Sequence, residues 1–254
     1  MKSFKVRLLG LACVLGCLTS CIDDKGNYST YGTDSGVIRY YSVGSGTPFI
    51  DTRMGAFAAP ELKDRNYKSG DCLLVSYTVD LDNQPSAYYY TATDVSAVQL
   101  DKSTMLLMSG NDTQDDPSYS VDSLSVDSIS RISITGITPL IDGNLFLSIT
   151  QKSPENQKFN YELIYHTDSV YNEVPVLYVC TEKNGTATGA ASDRITYHAF
   201  DIQALLTRYM DDSNQVEVYL KYKSGEDADG NNIYKWMYSM PVKITNIAYK
   251  ENND

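Results

Sequence analysis

Basic residues are scarce in this chain of 254. Lysine and arginine number 21 against 32 aspartates and glutamates, a formal charge of −11. A phosphate-binding face needs a basic surplus, so nucleic acid is excluded as a partner. The same deficit argues against electrostatic docking onto an anionic membrane. Histidine is nearly absent, with two residues, and the five cysteines form no C-x-x-C pair. His166 and His198 lack neighbouring ligands at useful spacing, so neither a metal nor another cofactor is expected. There is no G-x-S-x-G nucleophile elbow. No segment reaches 18 consecutive apolar residues, so no membrane-spanning helix is expected. What is plentiful is tyrosine, 21 residues, and an apolar content of 42%, ample for a core.

The first twenty residues read as an address. Lys2, Lys5 and Arg7 form a basic start, and Leu8–Leu18 is an apolar run too short to cross a bilayer. Leu18-Thr19-Ser20-Cys21 then has the form of a bacterial lipobox, with small residues before a cysteine whose thiol receives a diacylglycerol. Cys17, after Val14-Leu15-Gly16, fits more loosely, and polarity begins only at Asp23. Cys21 is therefore the expected lipidation site, and two or three acyl chains give stable anchoring. Cleavage after Ser20 removes three bases and no acid, which moves the charge from −11 to −14. Asp23 and Asp24 follow at once and resemble the acidic signal that sends some lipoproteins to the outer face of the outer membrane. The expected location is the outer membrane, lipid-anchored and surface-exposed, with the periplasmic face as the alternative. Of the remaining cysteines, Cys72 and Cys180 lie in apolar strand patterns and are expected as buried free thiols.

The mature chain reads as all-β. Residues 21–36 are polar and serve as a tether. Residues 37–109 hold short strand signals, the clearest being Asp71–Asp80, where Leu73, Val75, Tyr77 and Val79 share one face. Five such pieces suit a small OB-like barrel. Residues 110–120 are acidic and contain Pro117, the form of a linker. Residues 121–254 carry longer strand signals and a turn at Ile141-Asp142-Gly143-Asn144, as expected of a β-sandwich domain. One short helix is expected over Ile202–Met210, capped by Asp201, with Ile202, Leu205, Leu206 and Tyr209 on one face.

These features together resemble the NigD-like lipoproteins. The lipobox with its acidic follow-on, the Gly70-Asp71 turn into an alternating strand, Gly143–Ile149, Tyr161-Glu162-Leu163-Ile164-Tyr165 and the terminal pair Val216–Tyr222 and Tyr234–Met240 carry the likeness. The resemblance implies an N-terminal OB-like domain and a C-terminal β-sandwich domain. It supplies architecture and no reaction.

Candidate sites are few. Tyr88 and Tyr90 fall on one face of a strand and are candidates for stacking on a ligand, although tyrosine is favoured in half-buried strands anyway. Tyr161, Tyr165 and Tyr171 form a second tyrosine group to which the same discount applies. Glu226–Asn232 is acidic but lacks the glycine and glutamate of a calcium loop at the required positions, and reads as a hairpin tip. His166 with Asp168 and Ser169, and His198 with Asp201, are fragments of a triad without a nucleophile motif. The expected protein is a monomeric, non-enzymatic binding or accessory protein of the envelope, attached by its lipid and presenting a surface to a protein or glycan. The alternatives are a surface glycan-binding lipoprotein of a polysaccharide-uptake system and a fimbrial-type structural subunit.

Overall fold

A computed structural model describes residues 34–40, 46–80, 84–86, 89–108, 127–134 and 140–247. Cys21, Asp23, Asp24, Tyr88 and the linker at 110–120 lie outside the described residues. Within them the chain is all-β, with one α-helix.

Six strands make the first sheet: β1 (Asp34–Arg39), β2 (Phe49–Thr52), β3 (Gly55–Ala58), β4 (Cys72–Thr78), β5 (Tyr90–Thr91) and β6 (Thr93–Gln99). Their order is β5-β3-β2-β1-β4-β6. Its outermost strands, β5 and β6, are consecutive in the chain, separated only by buried Ala92, so the sheet curls into a nearly closed barrel. Asp94, at φ 53°, makes the corner beside a register shift between Ser76 and Thr78. The Glu61 carboxylate fixes that corner by accepting the Asp94 and Val95 N–H groups at 3.0 and 2.9 Å.

Alternation in β4 works as the sequence implies. Leu73, Val75, Tyr77 and Val79 enter the barrel core with Ile38, Ile50, Phe57 and Leu62, while Ser76 is exposed. The Tyr77 hydroxyl is satisfied by Thr52 Oγ1 at 3.1 Å. The strand before it begins earlier than expected, because Asp34–Gly36, read as tether, already pair with β2 and β4. Gly36 is needed there, since a Cβ would lie 2.5 Å from Ile50 Cγ2.

The remaining strands form one eleven-stranded sheet. They are β7 (Lys102–Thr104), β8 (Leu106–Met108), β9 (Arg131–Ile134), β10 (Leu140–Ile141), β11 (Asn144–Ser153), β12 (Lys158–Tyr171), β13 (Val174–Asn184), β14 (Ser192–Asp201), β15 (Gln215–Glu226), β16 (Asn232–Trp236) and β17 (Val242–Ile247). The main path runs β7-β14-β11-β10-β17-β15-β13-β12-β8, with β9 on β11 and β16 on β15. Its two ends, β7 and β8, are a single stretch of chain bent at buried Met105. The sheet therefore folds back on itself, and both halves face one core in the manner of a sandwich. Leu145, Leu147, Leu163, Leu177, Val218 and Ile244 meet there.

Lys102–Met108, grouped with the barrel in the sequence reading, pairs entirely with the second sheet. The change of sheet falls between Gln99 and Lys102 because β7 and β8 close the larger sheet's open ends. The Asp142-Gly143 turn has both residues at positive φ, 49° and 74°, as a two-residue hairpin connection requires. Helix α1 spans Gln203–Tyr209 and buries Leu205 and Leu206. Ile202 takes the N-cap position, and Asp201 Oδ1 accepts the Gln203 N–H at 3.0 Å one residue further out.

Barrel and second sheet meet through a small apolar cluster. Val37 and Cys72 pack against Ile141, Phe146 and Ala199, with Leu100 at the side. Arg39 spans the same junction. It pairs with the buried Asp51 carboxylate of the barrel at 3.4 Å and with Asp142 of the second sheet.

Candidate binding surface

Catalytic fragments suggested by spacing do not assemble. Ser169 Oγ donates to the Tyr178 hydroxyl at 3.3 Å, away from His166. His198 is 4% exposed and its Nε2 lies 2.9 Å from Ser103 Oγ. That serine donates to the Tyr161 carbonyl at 3.0 Å, so its hydroxyl proton is engaged and the imidazole N–H points to it. His198 also sits between the rings of Tyr161 and Phe200, at 5.3 and 4.6 Å. Burial pulls its pKa down to about 4, against a smaller upward pull from Asp101. This is a polar clip joining β7, β12 and β14. Cys72 and Cys180 are free and buried, and burial pushes both thiols up to about 12, which leaves them inert. Among the described residues no three of His, Cys, Asp and Glu come together as a metal site. The Glu226–Asn232 loop closes on itself, with Asp227 accepting from Asn231 and the Asp229 N–H.

Of the barrel candidates, Tyr90 is 47% exposed on β5. Tyr89, next to it, stands edge-on to Phe49 at 5.4 Å. A larger aromatic surface lies on the outer face of the second sheet. Core-facing residues of β15 are Val216, Val218, Leu220 and Tyr222, so Glu217, Tyr219, Lys221 and Lys223 point outward. Cross-strand registry then places Val176 beside Tyr219, Tyr178 and Trp236 beside Lys221, and Tyr234 beside Lys223.

Tyr171 joins this face through a register shift. Tyr161 and Tyr165 are buried in the core. By strand parity Tyr171 would follow them inward. A bulge between Tyr165 and Val170 slips the pairing, so that Tyr171 lies opposite Val174 and turns outward. Its ring stands 5.3 Å from Tyr219 and 5.6 Å from Trp236, and the last two are 5.1 Å apart. Tyr219 meets Tyr171 and Trp236 edge-to-face, at 80° and 61°, while Tyr171 and Trp236 are tilted at 42° to each other. Lys221 Nζ lies over Trp236 at 4.9 Å and over Tyr178 and Tyr234 at 5.6 Å. Tyr171 and Trp236 remain 51% and 38% exposed.

Beside this cluster is a cavity of about 240 Å3 lined by Glu173, Asp211, Glu217, Lys243, Pro175 and Tyr209, among others. Asp211 Oδ1 accepts the Ser213 and Gln215 N–H groups at 2.8 and 2.9 Å. Two further cavities, of about 310 and 240 Å3, are polar and shallow; one lies where the barrel meets β7, the other beside the Asp127–Lys183 ion pair.

The molecule is thus an all-β protein of two sheets with an exposed aromatic face and no assembled catalytic centre among its described residues. Residues 26–99 match the family model of the lipoprotein OB domain, which ends where the first sheet ends. The fold is shared with an uncharacterised protein from Parabacteroides merdae at 18% identity and a TM-score of 0.64, covering 85% of this chain and 99% of that one. It is shared with a NigD-like immunity protein from Bacteroides caccae at 16% identity and a TM-score of 0.50, covering 82% and 94%. A protein of unknown function from Bacteroides vulgatus is similar at 14% identity and a TM-score of 0.51, over 84% and 92%. No curated protein matches the chain. The domain match and the shared fold bear out the resemblance to NigD-like OB-fold lipoproteins.

Proposed function

We propose that this protein is a lipid-anchored component of the cell envelope that works by binding a partner and not by catalysis. In this reading Cys21 carries the lipid. Asp23 and Asp24 direct the chain to the outer surface, and the two sheets present the contact face. The observation that carries the binding reading is the interlocked Tyr171–Tyr219–Trp236 cluster, in which Tyr171 and Trp236 stay exposed around a buried Tyr219 on a sheet whose other face lines a core. Exposed aromatic patches of this kind are characteristic of interfaces. The angles between these rings favour a protein partner, since a sugar stacks best on rings that lie parallel. A fimbrial subunit awaiting a donor strand fits less well, because this chain's own Lys102–Met108 bridges the ends of the second sheet.

One experiment tests both halves of the reading. A photo-crosslinker placed at exposed Tyr238, two residues past Trp236, is expected to give defined adducts in the membrane fraction of intact cells. The same group at Lys158, at the far end of β12, is expected to give none. Cys21→Ser should move the protein from the membrane to the soluble fraction, and protease shaving of Asp23→Ala, Asp24→Ala cells should show reduced surface exposure. Adducts absent from both positions would remove the binding reading, and an unchanged membrane fraction would remove the anchor.

A further inference from the structure

We infer that the outer face of the second sheet docks a cationic, apolar-rich peptide segment. A basic side chain would enter the carboxylate-lined cavity while its apolar neighbours pack on the ring cluster. The inference rests on the binding reading above and names the chemistry of the partner.

Charge is the first argument. The cavity collects Glu173, Asp211 and Glu217 against one ammonium, Lys243. Among the described residues none of these three carboxylates belongs to an ion pair. Asp211 is held by two N–H groups and Glu217 stands opposite Lys243 in the β15–β17 register. Three carboxylates against one ammonium still leave the concavity net negative, a field that attracts a cation, and the chain's overall charge of −11 steers basic partners toward it. Size is the second. About 240 Å3 falls below the roughly 300–1,000 Å3 of small-molecule pockets, so it suits one long side chain of a larger partner.

Continuity with the rings is the third argument. Glu173 sits two residues past Tyr171 in the β12–β13 turn, where Asn172 and Glu173 both have positive φ. Glu217 precedes Tyr219 by two residues on the same face of β15. Acid and ring therefore alternate along two neighbouring elements. The ring faces themselves accept cations, as Lys221 demonstrates over Trp236. Lys221 lies beyond Tyr219 along β15, on the side of the cluster away from the cavity. An aromatic anchor beside a charged pocket is the usual make-up of a binding hot spot.

Trp236 is the sole tryptophan, so its fluorescence reports on this face alone. The full chain, in detergent, is titrated with a short tryptophan-free peptide of lysine and leucine, and with an analogue carrying glutamate for lysine. The lysine peptide is expected to shift Trp236 emission to saturation, and the glutamate analogue to leave it unmoved. Glu173→Gln with Glu217→Gln should weaken binding about tenfold. Asp64→Asn with Asp229→Asn removes the same charge from exposed sites elsewhere and should change it by less than about twofold. Equal loss in both double variants, a response to the glutamate peptide, or no response at all would overturn the inference. If crosslinks at Tyr238 persist while the lysine peptide leaves Trp236 silent, the cationic partner falls and the binding reading stands. If neither signal appears, both fall.

Discussion

Phe146→Ala is expected to destabilise the folded chain by about 3–5 kcal/mol, the cost of emptying a fully packed aromatic site. Phe146 is fully buried, yet it points away from the main core. Its neighbours on β11, Leu145 and Leu147, face that core, while Phe146 fills the junction with Val37 and Cys72 of the barrel. The space it would leave has little means of collapsing. The Leu100 N–H is bonded to the Cys72 carbonyl at 2.8 Å and the Ala199 N–H to the Asp101 carbonyl at 3.1 Å, both across or beside the junction. Arg39 clamps the same boundary through Asp51 and Asp142. Urea unfolding followed by Trp236 fluorescence and by far-ultraviolet circular dichroism checks this. The parent should give coincident transitions. The variant should lose stability and separate the two signals, because Trp236 reports only on the second sheet. A loss under about 1 kcal/mol would mean that the junction is not packed as described.

Acidification is the second large effect. His198 is held neutral by burial, with its pKa pulled from the ordinary 6.5 to about 4. Above pH 6.5 the imidazole is neutral in folded and unfolded chains alike. Between pH 6.5 and 4 the unfolded chain takes up a proton that the folded chain refuses. Stability therefore rises with pH across this window and is lost as the pH falls through it. A difference of this size corresponds to about 3 kcal/mol. Denaturant midpoints measured from pH 7.5 to pH 4 should show the loss. His198→Gln keeps an N–H for Ser103 and cannot titrate, so its profile should be flatter across the window, at a cost of about 1 kcal/mol at neutral pH. A variant with the parental slope would assign the acid sensitivity to other groups.

Much of the framework was legible because it depends on local rules. The period of two in Leu73–Val79 named the barrel-facing residues, and Asp142-Gly143 named a hairpin turn through the backbone conformations it permits. Helix α1 was visible in the spacing of Leu205, Leu206 and Tyr209, with its start misplaced by one residue. Strand β14 escaped notice. Its first half, from Ser192 to Thr196, is largely exposed and polar, and what holds it is ten residues of main-chain pairing to β11, which leaves no side-chain signature. The three tyrosines 161, 165 and 171 looked alike in sequence. A bulge then put two in the core and the third on the surface. No local signal foretold the acid-lined cavity either, because Glu173, Asp211 and Glu217 come from a hairpin turn, the segment after the helix and the strand that follows.

By itself the order of residues determined an acidic, strand-built chain and the inward face of its regular strands, because charge and alternation act over a few neighbouring positions. Tertiary structure alone decided that Lys102–Met108 closes the larger sheet, that Tyr171 turns outward and that acids distant in sequence share one concavity with a lone tryptophan nearby. Those outcomes depend on register between strands far apart in the chain, and a slip of one residue there reverses every side chain that follows.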